Sequence, residues 1–392
     1  MTDHNPFRIA ERHALEALTS RHVTHAELWA ALDPIVARGD FEVVEVGRSI
    51  QGRPLRTIGY GRGPIEVLLW SQMHGDEATA TRALADLLAF LAGGGGEDDR
   101  LHGLITDRLR LTLLPLVNPD GAELPQRENA VGIDLNRDAV RRASPEAQAL
   151  GQLRDRVKPV FGFNLHDQDV RRTAGPGGLQ VALALLAPPA GPELGYGPPR
   201  QRARLLAARV AEGLAEEIPG RVARWDDSWE PRAFGERMQE SGTSTVLVES
   251  GALPDDPEKE RLRRVTCGAL LGALGAIAGD LVDGSDPEPY DALPDNVLVD
   301  HDLHLLGGIV RRGPEDPGTR ADVALVWADP VARKGLRLVE VGELGEATTL
   351  EVAEYPGCHL DIEGPVTLGP GAAVTITVRR DESDGGVVAR YR

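Results

Sequence analysis

The sequence is poor in cysteine and has no long apolar run. Only two cysteines, Cys267 and Cys358, occur among 392 residues, so a disulfide framework is not predicted and a reducing compartment is expected. Charges are scattered through roughly the first 40 residues, where a signal peptide would have an apolar core. No apolar run is long enough to span a bilayer. We therefore expect a cytoplasmic protein without a membrane partner.

The sequence also lacks an excess of basic residues. It has 43 Lys and Arg against 61 Asp and Glu, which gives a formal charge of −18. A nucleic-acid backbone or an anionic membrane would be repelled, so neither is expected as a partner. Hydrophobic residues at 41% and charged residues at 27% are ordinary for a folded globular protein. The oligomeric state stays open.

Apolar segments alternate with segments of helical periodicity over the first two thirds of the chain. The run Ile65 to Trp70 is too uniformly apolar for a half-exposed strand, which predicts a strand buried on both faces of a sheet. Residues 8–38, with Thr24 as a cap, and Ala78 to Leu91 are predicted to be helical, and the glycines at 93–96 are predicted to form a loop. The alternation predicts an α/β fold with a mixed central sheet flanked by helices.

The chain is long for a single domain, and its composition changes after Leu281. Asp283 to Pro289 is typical of a linker, and short β-rich segments follow it. We therefore predict an α/β domain over residues 1–285 and a C-terminal β-rich domain over residues 290–392. The spacing of His301-Asp-Leu-His304 in this second domain could suggest a metal site, but we interpret it as a packed or solvated turn.

Candidate metal ligands follow the predicted buried strands. His74 and Glu77 lie in the turn after the run that begins at Val67, and an imidazole and a carboxylate at this spacing can reach one cation. The His-x-x-Glu spacing also arises by chance, so this pair alone does not identify a site. His166 ends another predicted strand, and ligands collect at strand ends in open α/β sheets. Metal-assisted amide hydrolysis uses an ion with three protein ligands and one open position, and these three residues can supply the ligands.

Two further carboxylates fit the same chemistry. Glu249, at the end of another apolar strand, is the candidate that takes the proton of the attacking water and passes it to the leaving amine. Asp134, in the sequence Asp134-Leu-Asn-Arg137, is expected to orient His74 through the second imidazole nitrogen. Glu249 could instead be a solvated or salt-bridged carboxylate at a strand end, and the presence of the other motifs is what favours catalysis.

In this order the motifs resemble the carboxypeptidase A-type zinc peptidase family, in particular its bacterial cytoplasmic members, over about residues 41–281. The resemblance implies one Zn²⁺ per chain, a peptide substrate cleaved at its C-terminal amide bond, and a catalytic role for residues 1–285. It also implies that Arg127 stabilises the oxyanion and that Asn136 and Arg137 bind the substrate's free carboxylate. The sequence departs from the family where Asp76 replaces an arginine, and where no tyrosine precedes Glu249; Tyr196 is the nearest replacement.

Two alternatives are compatible with the same residues. The aspartoacylase and succinylglutamate desuccinylase enzymes are also similar, through His74 to Glu77, Asp134 to Arg137 and the β-rich residues 290–392. That resemblance implies hydrolysis of an N-acyl amino acid instead of a peptide. The other alternative is a binding module on an inactive peptidase scaffold, for which loss of Glu249 would have been the simplest sign. Glu249 is present.

Overall fold

The computed structural model describes residues 5–93, 99–313, 315–380 and 386–392, so most of the predicted glycine loop, residues 94–96, lies outside the described residues. The chain divides into two compact units. The first unit comprises residues 1–168, 182–253 and 258–295, and the second comprises residues 169–181, 254–257 and 296–392. The domain boundary near residue 285 remains a prediction.

Helices and strands alternate through the first unit, and strands dominate the second. The helices are α1 (Pro6–Arg12), α2 (His25–Val36), α3 (Thr79–Ala92), α4 (Asp99–Arg108), α5 (Pro119–Ala122), α6 (Pro145–Val157), α7 (Pro198–Glu217), α8 (Phe234–Glu240), α9 (Glu260–Ala278) and α10 (Glu288–Asp291). The strands are β1 (Glu42–Arg48), β2 (Pro54–Tyr60), β3 (Ile65–Ser71), β4 (Leu109–Leu114), β5 (Phe161–Asp167), β6 (Arg172–Ala174), β7 (Leu183–Leu186), β8 (Val222–Arg224), β9 (Ser244–Ser250), β10 (Asn296–Leu298), β11 (His301–Arg311), β12 (Thr319–Asp329), β13 (Lys334–Gly342), β14 (Thr349–Glu354), β15 (His359–Glu363), β16 (Thr375–Arg379) and β17 (Val387–Tyr391).

The first unit is built on a mixed sheet, which confirms the predicted fold class. Within the described residues the sheet has eight strands in the order β1-β2-β4-β3-β5-β9-β7-β8. Its centre, β4-β3-β5-β9, is parallel, whereas β1, β2 and β7 add antiparallel pairs. The parallel pairs matter for function, because their carboxyl ends meet at one edge of the sheet.

Alternate residues of β3 enter two different hydrophobic cores. Val67 and Leu69 pack in the core that α3, α7 and α9 cover, whereas Leu68 and Trp70 pack in the core with residues of α6 and α8. Side chains alternate between the faces of a strand, so helices cover both faces of the sheet. The uniformly apolar sequence of β3 is the consequence of this burial.

The N-terminal helical prediction is only partly right. Thr24 caps α2 with a full capping box, in which Glu27 returns the hydrogen bond. Residues 13–24, however, leave the helical path between α1 and α2. No described helix is both long and apolar enough to cross a membrane.

The second unit contains a β-sheet with the order β13-β12-β11-β15-β16-β17, and β14 pairs with β11. A shorter ladder joins β6 to β10. The hydrophobic core includes Leu305, Val323 and Ile376. The interpretation of His301 to His304 as a turn is wrong, because these residues open β11 and pair with β14 from His301 and with β12 from Leu303.

Candidate metal centre

His74, Glu77 and His166 come together at the carboxyl edge of the first unit's sheet. His74 lies in the turn after β3, Glu77 just before α3, and His166 in β5, the parallel neighbour of β3. Each offers a ligand atom, and these atoms all lie within 4.8 Å of one another. The three residues are 2%, 7% and 1% exposed, respectively. We call this group the metal centre.

Both imidazoles present the same nitrogen to the carboxylate. Nδ1 of His74 lies 2.6 Å from Oε1 of Glu77, and Nδ1 of His166 lies 2.8 Å from Oε2. The outer nitrogen of His74, Nε2, lies 3.1 Å from Oδ1 of Asp134. Two imidazole nitrogens and a carboxylate fit zinc, which takes such ligands in catalytic sites, and a carboxylate behind one histidine fixes its ring.

In the metal centre, neighbouring charges shift the pKa values in the opposite direction to burial. Burial lowers the pKa of His74, but the carboxylates of Glu77 and Asp134 outweigh it and raise that pKa to about 9. Burial would raise the pKa of Glu77, yet both imidazoles keep it well below its usual range. Burial lowers the pKa of His166 despite the same carboxylate. Glu77 is therefore ionised, and a divalent cation would replace the proton that His74 shares with it.

Buried contacts behind the ligands hold Glu77 and the end of β5 in register. The main-chain N–H of Asp167 donates to Oε2 of Glu77 at 3.1 Å. The side chain of Asp167 accepts hydrogen bonds from Thr79 at 2.5 Å and from Nζ of Lys259 at 2.8 Å. Sequence reasoning missed this set: Asp167 is next to His166, but Lys259 lies far along the chain and no local pattern points to it.

The close turn after His74 requires a glycine for space. A Cβ at Gly75 would overlap the main chain of Gly121, which lies in α5. Asn118 caps α5 by accepting a hydrogen bond from the main-chain N–H of Gly121. The turn that contains His74 and Glu77 therefore packs directly against the main chain of α5.

Arg127 lies beside the metal centre. Its Nε and Nη2 donate to Oδ2 of Asp134 at 3.1 and 2.9 Å. Its Nη1 lies 3.2 Å from Nδ1 of His74 and 3.7 Å from Oε1 of Glu77. The side chain is 41% exposed, so the guanidinium is anchored on one side and open on the other.

Asn136 and Arg137 sit close to the same place but are engaged with the protein. Oδ1 of Asn136 accepts the N–H of Phe234 at 2.9 Å, and Nδ2 lies 3.4 Å from Nε2 of His166. Arg137 donates to the carbonyl of Asn136 at 2.9 Å and pairs with Glu230 at 3.2 Å. Their predicted contact with a substrate carboxylate remains a prediction.

Glu249 occupies the strand next to His166. It is the Cα partner of His166 in the parallel pair of β5 and β9, and it is 7% exposed. Partners in adjacent strands project their side chains from the same face of a sheet.

Tyr196 packs under the guanidinium groups of Arg200 and Arg204, at 4.4 and 4.7 Å from its ring centre.

Part of the chain is similar to known proteins. Residues 35–166 match the family model described as zinc carboxypeptidase. Probable carboxypeptidase 2 of Arthroderma benhamiae is 25% identical over 189 residues, which cover 48% of this chain and 33% of the relative. The catalytic chain of carboxypeptidase N from Homo sapiens is 32% identical over 143 residues, which cover 31% of each chain.

The fold agrees with this match. The solved structure of a metallo-carboxypeptidase from Burkholderia cenocepacia has a TM-score of 0.51 at 21% identity, covering 64% of this chain and 69% of that one. The chain spans about a third of the length of the first curated relatives it matches. The matched segment contains His74, Glu77 and His166, but it ends before Glu249. Residues 35–166 are therefore similar to the zinc carboxypeptidase family.

Proposed function

We propose that this protein is a zinc-dependent metallocarboxypeptidase that cleaves the C-terminal amide bond of a short peptide. The observation that carries the proposal is the metal centre, where three ligand atoms lie within 4.8 Å of one another. Both Nδ1 atoms face the same carboxylate, so the ligands are arranged before an ion binds. One Zn²⁺ per chain is the expected cofactor, with His74, Glu77 and His166 as ligands.

A zinc ion held by His74, Glu77 and His166 would lower the pKa of a bound water to ~7 and would polarise the scissile carbonyl. Glu249 takes a proton from the attacking water and delivers it to the departing nitrogen. Its place beside His166 in the sheet supports this role. Asp134 holds Nε2 of His74 and thereby keeps Nδ1 turned to the metal centre.

Cationic side chains supply the remaining interactions. The open side of the Arg127 guanidinium donates to the oxyanion that forms when water adds to the carbonyl. Arg137, supported by Asn136, binds the free carboxylate of the substrate, for which a planar guanidinium is suited. In the absence of substrate, Arg137 is held by Glu230.

A substrate panel tests the reaction. The zinc-loaded chain is incubated with N-blocked dipeptides, with the corresponding C-terminal amides, and with N-acetyl and N-succinyl amino acids, and free amino acid is measured. We expect release from the dipeptides with a free carboxylate and little from their amides. Activity confined to the N-acyl amino acids would contradict the proposal in favour of a deacylase.

Replacement of Glu249 by Gln tests the assigned proton carrier. General acid–base catalysis contributes about 10²–10⁴-fold, so Glu249→Gln should lower kcat by that factor while zinc content stays at one per chain. Glu216→Gln, at an exposed position on α7, is the matched control and should leave kcat unchanged. A Glu249→Gln protein as active as the parent would remove this residue from the mechanism.

We also propose that residues 1–285 form the catalytic domain, that residues 290–392 form an appended β domain, and that the protein is cytoplasmic. Cys267 and Cys358 are both free thiols, which is consistent with a reducing compartment. Fractionation of the native cells tests the location, and limited proteolysis near residue 285 tests the boundary.

A further inference from the structure

The His301-Asp-Leu-His304 motif at the start of β11 takes no part in the proposed hydrolysis, yet its two imidazoles face each other. Nδ1 of His301 lies 2.9 Å from Nε2 of His304, and the ring centroids are 5.1 Å apart. The residues are only 8% and 4% exposed. Two imidazole nitrogens therefore meet at one place inside the second unit.

This separation matches that of two nitrogen ligands on one metal ion. Imidazole nitrogens that bind an ion at ~2.0–2.1 Å lie about 2.9 Å apart when the angle between them is a right angle, and about 3.3 Å apart when it is tetrahedral. The observed 2.9 Å therefore favours octahedral or square-planar coordination. Imidazole ligands in such geometries suit Ni²⁺ and Cu²⁺.

The same nitrogens can instead share a proton. The hydrogen-bonded pair and the metal-binding pair differ only in the tautomer of one ring. In the hydrogen-bonded pair, one ring carries its N–H on the facing nitrogen and the other ring accepts it. An ion requires a lone pair on both facing nitrogens. The donating ring needs only to move its proton to its other nitrogen, so the pair stays neutral and loses no proton.

The surroundings of the pair supply negative charge and space. His304 lines a cavity of about 570 Å³ whose wall also contains Asp322 and Glu343. Burial lowers the pKa of His304, although Asp300 and Asp322 favour positive charge there. Oδ1 of Asp322 is fixed by the N–H of Gly307 at 2.7 Å. A neutral imidazole next to anionic groups and an open cavity can bind a cation and water molecules together.

We propose that His301 and His304 form a second metal site, which binds one Ni²⁺ or Cu²⁺ ion through Nδ1 and Nε2 respectively, with water as the remaining ligands. Within the described part of the chain, only the metal centre brings three metal-binding side chains within reach of one ion. With two protein ligands, the second site should bind its ion more weakly than the metal centre. The proposal does not depend on peptide hydrolysis.

The test is a metal titration of the whole 392-residue chain, without a histidine tag and loaded with zinc. Ni²⁺ is added in a calorimeter, and elemental analysis verifies that zinc is retained. We expect one Ni²⁺ per chain in addition to zinc. His304→Gln and His301→Gln should each weaken this binding at least tenfold, whereas His22→Gln, at an exposed position in the first unit, should leave it unchanged.

Electron paramagnetic resonance with Cu²⁺ provides a second measurement. One Cu²⁺ is added per zinc-loaded chain, and elemental analysis verifies that zinc stays in the metal centre, where copper would also meet two imidazoles. Coupling to two imidazole nitrogens is then expected in the parent and to one in either variant. The proposal is overturned if the parent binds no ion beyond zinc, or if both variants bind Ni²⁺ as tightly as the parent. The parent measurement involves no substitution, so a variant that fails to fold cannot leave the proposal untested.

Discussion

Two groups of buried charged residues in the first unit differ in what their polar atoms face. In the metal centre, the nitrogen and oxygen atoms face one another across a single point. In the second group, the guanidinium groups face carboxylates and main-chain carbonyls, including that of Leu18. This second group, which we call the α3–α9 cluster, consists of Arg82, Asp86, Glu260 and Arg263.

The difference separates function from stability. Three members of the α3–α9 cluster, Arg82, Asp86 and Arg263, are fully buried, and each has opposite charge beside it. Such a network holds elements together, and its donors and acceptors are directed at one another instead of at an ion. The metal centre directs three ligand atoms at one another, an arrangement that can hold an ion. Burial alone therefore does not distinguish the two, whereas the direction of the lone pairs does.

The largest effect should come from breaking the metal centre. Glu77→Gln removes the carboxylate that both imidazoles face, so zinc affinity and kcat/KM should fall more than ~100-fold, beyond the loss typical of residues behind the ligands. Zinc content after dialysis and peptide hydrolysis measure this. Glu66→Gln, on β3 and paired with Arg110 at the surface, is the control. Retention of zinc and rate by the Glu77 variant would contradict the assignment.

Breaking the α3–α9 cluster should instead lower stability. Asp86→Asn leaves the buried guanidinium of Arg263 without its carboxylate, and loss of one partner of a buried pair costs about 3–5 kcal/mol. Urea unfolding of the zinc-free chain measures this loss. Asp107→Asn, which removes an exposed pair with Arg62, should cost less than about 1 kcal/mol. If the two variants unfold alike, the α3–α9 cluster does not stabilise the fold.

Glu236 belongs to neither the metal centre nor the α3–α9 cluster. It is a buried carboxyl with little positive charge beside it. Burial raises its pKa to about 7 from 4.5. The pKa of Glu236 is raised in the folded state. The contribution of this carboxyl to the free energy of unfolding is therefore fully present below pH 4.5 and is lost as pH rises through 7. Glu236→Gln should therefore gain stability relative to the parent by about 2–3 kcal/mol between pH 5 and pH 8.

Urea unfolding at the two pH values measures this difference. Glu240→Gln, on the same helix, is the control and should show no such gain. A parent and a Glu236 variant with parallel pH profiles would show that this carboxyl is not desolvated.

The smallest effect should come from Asp134, which touches the metal centre from outside. Asp134→Asn weakens the hold on Nε2 of His74, and loss of such a partner typically costs 10–100-fold in metal affinity. Competition with a zinc chelator measures the change. Asp155→Asn, which is paired with Arg142 at the surface, should bind zinc as the parent does. Unchanged affinity in the Asp134 variant would mean that the ring of His74 is fixed by packing alone.

The sequence predicts the elements whose cause is local. The apolar runs of β3, β5 and β9 specify buried parallel strands, and the ligands follow because these strands end at one edge. Residues 13–24 fail the helical prediction for a non-local reason. Guanidinium groups from α3 and α9 bind the carbonyls of Leu15 and Leu18, and this tertiary interaction overrides helical periodicity.

Two other features could not be predicted from local sequence, because they too depend on contacts with distant segments. Lys259 reaches Asp167 across 92 positions of the sequence, so no motif announces the pair. His301 and His304 have the spacing of a turn, but pairing with two distant strands extends them and turns their nitrogens together. What a short pattern cannot show is which distant segment will lie beside it.

Gly75 has a consequence for how selection experiments on this protein should be interpreted. Its backbone is not left-handed, so it is the main chain of Gly121 that excludes a side chain there. In a library randomised at position 75, glycine should be recovered even when survivors are chosen only for soluble expression. Its recurrence would then report steric fit and not a requirement of the metal centre.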